Sequence, residues 1–235
     1  MTVQAILEEL EEKGNPNIKK ILLKHGVKEP FFGAKIEDMK VIQKRVKKDY
    51  QLSKDLYATG NSDAMYLAGL IADESKMTKK DLATWVKQAE SPNICDYTVP
   101  WIAAESQHGF ELALEWIESK ESYIAAAGWS TLCSVVAIKA DDELDMSLLK
   151  TLLARVEKEI HKADNHVRSR MNMFVISVGS YVASLTDKAI AIAQKIGTVK
   201  VDVGDTSCKV PGAVDYINKV KNKGAIGKKK KMARC

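Results

Sequence analysis

Cysteine is scarce in this chain of 235 residues, and where it occurs it is scattered. Cys95, Cys133, Cys208 and Cys235 form no CxxC pair. That excludes a disulfide framework and a cysteine-rich structural zinc site, and it points to a reducing, cytoplasmic setting. Cys95 and Cys133 sit among apolar residues, as buried fillers would. No stretch approaches the roughly 20 uninterrupted apolar residues that a membrane helix needs. The N-terminal run MTVQAILEELEEKGNP is acidic and amphipathic, unlike a signal peptide. P-loop, GxGxxG, HExxH and nucleophile-elbow patterns are all missing. His25, His108, His161 and His166 lack ligand spacing on one face, since even the nearest pair is not an i,i+4 helical pair. The expectation is a monomer with no metal, no small-molecule cofactor and no membrane partner.

Apolar residues make up 46% of the chain, enough for a full core. Their arrangement recurs. DLATWVKQAE is followed by ICDYTVPWIAAES, GFELALEWIES by SYIAAAGWSTLCSVVA, and DMSLLKTLLARVEKEI by HVRSRMNMFVISVGSYV. Each first segment carries an amphipathic stripe, and each second is more apolar and rich in small residues. A period of roughly 30 to 45 residues is that of two-helix solenoid repeats, in which hairpins stack because none can bury its apolar face alone. Trp85, Trp101 and Trp116 lie at stripe positions and read as core. The fold expected is an all-α helical-repeat solenoid over residues 1–217.

One segment departs from that pattern. Across residues 198–211, Val199, Val201 and Val203 alternate with Lys200 and Asp202, Gly204-Asp205-Thr206 signals a turn, and Pro211 ends the run. This predicts an inserted β-hairpin with Lys200 and Lys209 on opposite arms. The hairpin either contacts a ligand or covers an end of the core.

The net charge of +5 is uneven. Residues 218–235 hold eight basic side chains and no acid; the other 28 basic residues face 31 acidic ones. This stretch, with Lys228, Lys229, Lys230 and Lys231, predicts a disordered arm that neutralises phosphates, or a solubility tail. A second basic face, Lys40, Lys44, Arg45, Lys47 and Lys48, lies on a helix predicted over 36–49. Arg168 and Arg170 precede an apolar run and are either phosphate contacts or solvated surface.

FFGAKIEDMKVIQKRVK, SPNICDYTVPWIAAE, SYIAAAGWSTL and VRSRMNMFVISVGSY together resemble the HEAT-like-repeat DNA alkylation repair family, the AlkD-like glycosylases. The resemblance covers roughly residues 15 to 195 and rests on repeat order more than on one sharp motif. It implies a solenoid that cups duplex DNA. In active members a site of tryptophans, an aspartate and arginines releases alkylated purines. The aspartate's motif, W-D-x-V-D-x-x-V-P, reads P-N-I-C-D-Y-T-V-P here, so Asp96 matches. Pro92 replaces the upstream tryptophan, Ala126 falls near an arginine position, and Met173 falls near the last tryptophan. A carboxylate can stabilise an oxocarbenium-like sugar, but the aromatic faces that hold a cationic base are lost. Asp96 is thus either a residual catalytic group or a carboxylate favoured by a helix N-terminus. The pattern is most similar to the diverged AlkF/AlkG subgroup, which implies binding of branched DNA with little base excision.

Three functions follow as expectations. The first is DNA binding by backbone and shape, with a preference for bent or branched structures. The second is excision of an unusual modified purine using Asp96, and the third is a protein-interaction scaffold.

Overall fold

The computed structural model describes residues 1–204, 206 and 208–234. Among these described residues the thirteen α-helices are α1 (Val3–Glu12), α2 (Pro16–Lys24), α3 (Ile36–Val46), α4 (Tyr50–Tyr57), α5 (Ser62–Ile71), α6 (Lys79–Gln88), α7 (Val99–Glu105), α8 (Gly109–Trp116), α9 (Ser122–Ile138), α10 (Met146–Glu159), α11 (Asn165–Tyr181), α12 (Thr186–Ile196) and α13 (Ala213–Asn222). Their starts follow from local chemistry. Thr2, Asn15, Asp49, Asn61, Asp145 and Asp164 each accept a first-turn amide, satisfying donors that a helix start leaves unpaired. Thr78 and Asp81 form a reciprocal capping box at α6.

The helices pair into two layers. In one, α4, α6, α8 and α10 bury a single stripe; in α10 it is Leu149, Leu152, Leu153 and Val156, at i, i+3, i+4 and i+7. In the other, α5, α7, α9 and α11 stack side by side and are apolar nearly all round. Every residue of α5 is buried. Close approach depends on small residues: a Cβ on Gly128 of α9 would lie 2.7 Å from the Ile117 nitrogen at the end of α8. Two contiguous cores result, one running from α1 to α7 with Leu112 and Trp116 of α8 and Ala127 of α9, and one running from α8 to α13 with Ala104 of α7. Trp85 and Trp116 are buried as expected, Trp85 stacked on Tyr57 at 4.1 Å. Trp129, against Phe174, is buried too. No single helix among the described residues is long and apolar enough to cross a membrane.

Proline breaks one inner helix. In a regular α-helix the ring of Pro100 would collide with the carbonyl of Asp96, four residues back, and could not bond to it. The chain widens instead into a π-helical turn, Ile94–Thr98, in which the Val99 amide reaches back to Ile94 O. This turn sets where Cys95 and Asp96 point.

The hairpin expected over 198–211 is not formed. The described residues contain no strand, and Asp205 and Ser207 lie outside them. The valine alternation is real, but the hydrogen-bonding partner is a helix. Asn165 brackets Asp202 as a neighbouring strand would, donating Nδ2–H to Asp202 O (2.8 Å) and accepting the Asp202 amide on Oδ1 (2.8 Å). Arg168 donates to Lys200 O (2.9 Å) and Asn172 to Pro211 O (3.0 Å). The described residues on either side of Gly204 are held against α11 by these side-chain bonds, with Val199 packed on the second core. Each such bond contributes about 1 kcal/mol, and side chains of α11 supply them without a second strand.

Candidate nucleic-acid interface

The last carbonyls of a helix have no intrahelical partner, and the aligned peptide dipoles make that end negative. The inner layer presents four such ends, and the basic C-terminal segment runs across all of them. After α13 the Gly227 amide bonds Ser180 O of α11 (2.9 Å). The Lys230 amide bonds Ala137 O of α9 (2.7 Å), and Lys229 Nζ reaches Val136 O (2.9 Å) and Asp141 (2.8 Å). The Ala233 amide bonds Glu105 of α7 (2.7 Å). Arg234 closes the run, only 8% exposed. Its guanidinium donates to Gly69 O, Leu70 O and Ala72 O of α5 and pairs with Glu74 and Glu105. Residues 218–222 belong to α13 and residues 227–234 form this strap, so the segment anticipated as a disordered arm is docked.

The strap divides the surface into two compartments. On one side is a cleft of about 740 Å³ bounded by the end of α3, the ends of α5 and α7, and Lys231 and Arg234. Lys48 in it pairs with Glu74, and Lys139 with Glu143. Lys44, Lys47 and Lys231 also line it, and their ammonium groups make no ion pair among the described residues. Lys47 ends α3 at φ 64° and ψ −134°, a conformation that costs a non-glycine residue on the order of 1–3 kcal/mol. Arg45 from the same helix is taken up by Glu9 of α1, and Lys40 does not line the cleft.

On the other side is a pocket of about 520 Å³ walled by Tyr97, Trp101, Met173 and Tyr181, with Lys228 and Lys230 on the strap side. Lys230 lies over the Tyr181 ring at 5.8 Å. Asp96 and Arg170 form part of its wall. The Asp96 side chain is 8% exposed; His166 Nε2 lies 2.7 Å from Oδ1, and Arg170 lies 3.5 Å from Oδ2. Burial opposes the Arg170 charge, but Asp96, Tyr97 and Cys133 together outweigh it and raise the pKa above the ordinary arginine value. Burial, reinforced by Asp96, pushes the Cys95 thiol well above the usual range, and burial lifts Cys133 to about 11.

The structure thus brings Lys44, Lys47, Lys48 and Lys231 to one cleft and Asp96, Arg170, Lys228 and Lys230 to one pocket. It does not bring Arg168, Lys200 or Lys209 to either. Arg168 is a structural brace holding Lys200 O and Ala163 O. Lys200 and Lys209 are exposed on the extended segment rather than on a hairpin. Glu74 and Glu105 were not singled out in the sequence, and His166 was set aside on its spacing. Their partners lie 70 to 160 residues away, and no local spacing signals them.

Residues 6–196 match the DNA alkylation repair enzyme family. The chain belongs to this family. It is 32% identical over 228 residues to the uncharacterized protein Lin0241 of Listeria innocua, covering 95% of this chain and 99% of that one. It is 31% identical, with the same coverage, to Lmo0209 of Listeria monocytogenes. A solved structure superposes with a TM-score of 0.92 at 34% identity, over 100% of both chains. That protein is described as one of a new family related to the HEAT-like repeat DNA glycosylases with affinity for branched DNA structures. Within this DNA alkylation repair fold, Met173 does line the Asp96 pocket, whereas Ala126 is buried in the core and Pro92 packs near Gly26.

Proposed function

We propose that this protein binds DNA by its sugar–phosphate backbone and overall shape, prefers branched or bent forms, and excises bases weakly or not at all. The observation that carries the reading is the cleft in which Lys44, Lys47 and Lys231 bring three positive charges, unpaired among the described residues, into one concavity whose glutamates are engaged by Lys48, Lys139 and Arg234. Charges with no internal partner are available to phosphates, and each phosphate neutralised releases counterions. Likeness along the whole chain to a protein with affinity for branched DNA supports the preference for junctions. The weak-excision part rests on Asp96. A carboxylate that must stabilise a developing cation works through uncompensated negative charge; here Arg170 and His166 already engage both oxygens.

Gel shifts on a four-way junction, a matched duplex and a single strand, each across a salt series, test the reading. Tightest binding to the junction, with steep salt dependence, is expected. No binding to any of the three at low salt would leave the scaffold reading in its place. Single-turnover excision on duplexes carrying alkylated purines, comparing wild type with Asp96→Asn, tests the second half. Release by the wild type that Asp96→Asn abolishes would restore a catalytic Asp96.

A further inference from the structure

Cys95, Asp96 and His166 meet at one point although they come from elements 70 residues apart. The π-helical turn forced by Pro100 presents Cys95 and Asp96 together, and the first turn of α11 brings in His166. Cys95 Sγ is 3.6 Å from Asp96 Oδ1 and 3.9 Å from His166 Nε2, and Oδ1 is 2.7 Å from Nε2. The circle through these three atoms has a radius of roughly 2 Å, the length of a zinc–nitrogen or zinc–oxygen bond. An ion near its centre reaches all three donors with little movement. The imidazole and carboxylate part by about half an ångström to reach the edge of a tetrahedron, and the longer zinc–sulfur bond lifts the ion slightly out of plane.

We propose that Cys95, Asp96 and His166 form a binding site for a zinc-class divalent transition metal. A thiolate, an imidazole and a carboxylate select zinc or cobalt over calcium or magnesium, which take oxygen ligands in larger number. The surroundings suit the ion. Arg170 stays at 3.5 Å on the second carboxylate oxygen and holds it in orientation, as outer partners of ligating groups do. The edge of the His166 ring rests against Tyr123 at 5.3 Å, which fixes its plane. Binding releases the Cys95 thiol proton to solvent, and the neutral imidazole carries its proton on Nδ1 instead of Nε2. Thiolate, carboxylate and dication then sum to zero charge beside Arg170. Three protein ligands leave a fourth position for water or another small donor, the pattern of open rather than closed zinc sites. The ion would also tie the turn before α7 to the start of α11, across the boundary between the two cores. This inference stands apart from the DNA reading and revises the expectation of no metal, because ligands drawn from two distant helices leave no spacing pattern in sequence.

The test is Co²⁺ titration of the full chain carrying Cys133→Ala, Cys208→Ser and Cys235→Ser, which removes the three thiols outside the site. We expect saturation at one equivalent with a thiolate-to-cobalt charge-transfer band in the near ultraviolet, displaced by Zn²⁺. Cys95→Ser abolishes the band, and His166→Ala weakens affinity on the order of 100-fold or more. Circular dichroism in chelator, unchanged between variants, shows that the fold is intact. If Cys95→Ser fails to fold, the partly exposed His166 carries the test. Absence of a saturable band, or equal affinity in the parent and His166→Ala, overturns the proposal.

Discussion

Replacing Arg234 by alanine is the sharpest perturbation of the C-terminal strap. The side chain is buried and its guanidinium serves three carbonyls and two carboxylates. Removing one partner of a buried ion pair costs about 3–5 kcal/mol, because the remaining charge is left dry. Two features pull the figure to the lower end. Glu74 keeps Lys48 as a partner, and the freed strap can lift so that Glu105 rehydrates. About 3 kcal/mol of local stability is therefore expected to be lost, on the order of a 100-fold rise in the open population. The assay is amide hydrogen exchange. In the wild type the Gly227, Lys230 and Ala233 amides exchange slowly, since each is bonded to an inner helix or to Glu105. In Arg234→Ala they exchange about 100-fold faster while α9 core amides hold. Melting temperature falls only by the share that reaches the core, roughly 2–4 °C per kcal/mol for a chain of this size. Arg234→Lys does not rescue, because a point charge with three donors cannot span five acceptors in a planar fork. Strap amides that exchange at free-chain rates in the wild type would refute the reasoning.

Three further outcomes are expected. Lys44→Ala, Lys47→Ala and Lys231→Ala together weaken binding to junction and duplex alike, and the slope of log K against log salt flattens by about 0.9 for each phosphate contact removed; an unchanged slope places the contacts elsewhere. Asp81 accepts from Lys54, Thr78 and Tyr50, and although burial works the other way these bonds hold its pKa below the ordinary range. Its stabilisation is complete above an unfolded-state pKa of about 3.9 and is lost as pH falls through the lower folded value. Urea denaturation from pH 6 to 2 should fall less steeply for Asp81→Asn than for wild type. Asn165→Ala strips two bonds from the extended segment, costs about 1–2 kcal/mol, and raises proteolysis near residues 199–203 without moving the melting of the helical core.

The helical layers were legible because their cause is periodic. The stripe of α10 and the caps at Thr2 and Thr78 are local patterns that the fold uses as written. Asp96 was legible through its motif. What stayed hidden is what bonds to backbone or to distant side chains. A period of two in Val199, Val201 and Val203 says that the run is extended and half-buried, but it does not say whether a strand or the side chain of Asn165 answers its amides. The lysine run reads as solvated charge because its anchors are carbonyls, which every residue has. Only the fold shows that four helix C-termini line up to receive it.

These hidden contacts bear on the proposed balance of binding over excision. An excising site needs a carboxylate whose charge is felt by the sugar and walls that grip the base. Here Arg170 and His166 already engage both Asp96 oxygens, and Met173 lines the wall where the family resemblance implies a tryptophan. Cation strength lies on the other side of the strap, where Lys44, Lys47 and Lys231 form no ion pair among the described residues and the neighbouring glutamates are engaged by other cations. Under the proposed function, electrostatics that fall off within about 10 Å at ordinary salt act on a phosphate path rather than on a single nucleotide. Lys231 belongs to the strap itself. Undocking the strap would remove one of the three charges and expose the negative ends of the inner helices to the same phosphates. In this reading, the buried Arg234 is as necessary to the DNA surface as the exposed lysines, although it touches no nucleic acid.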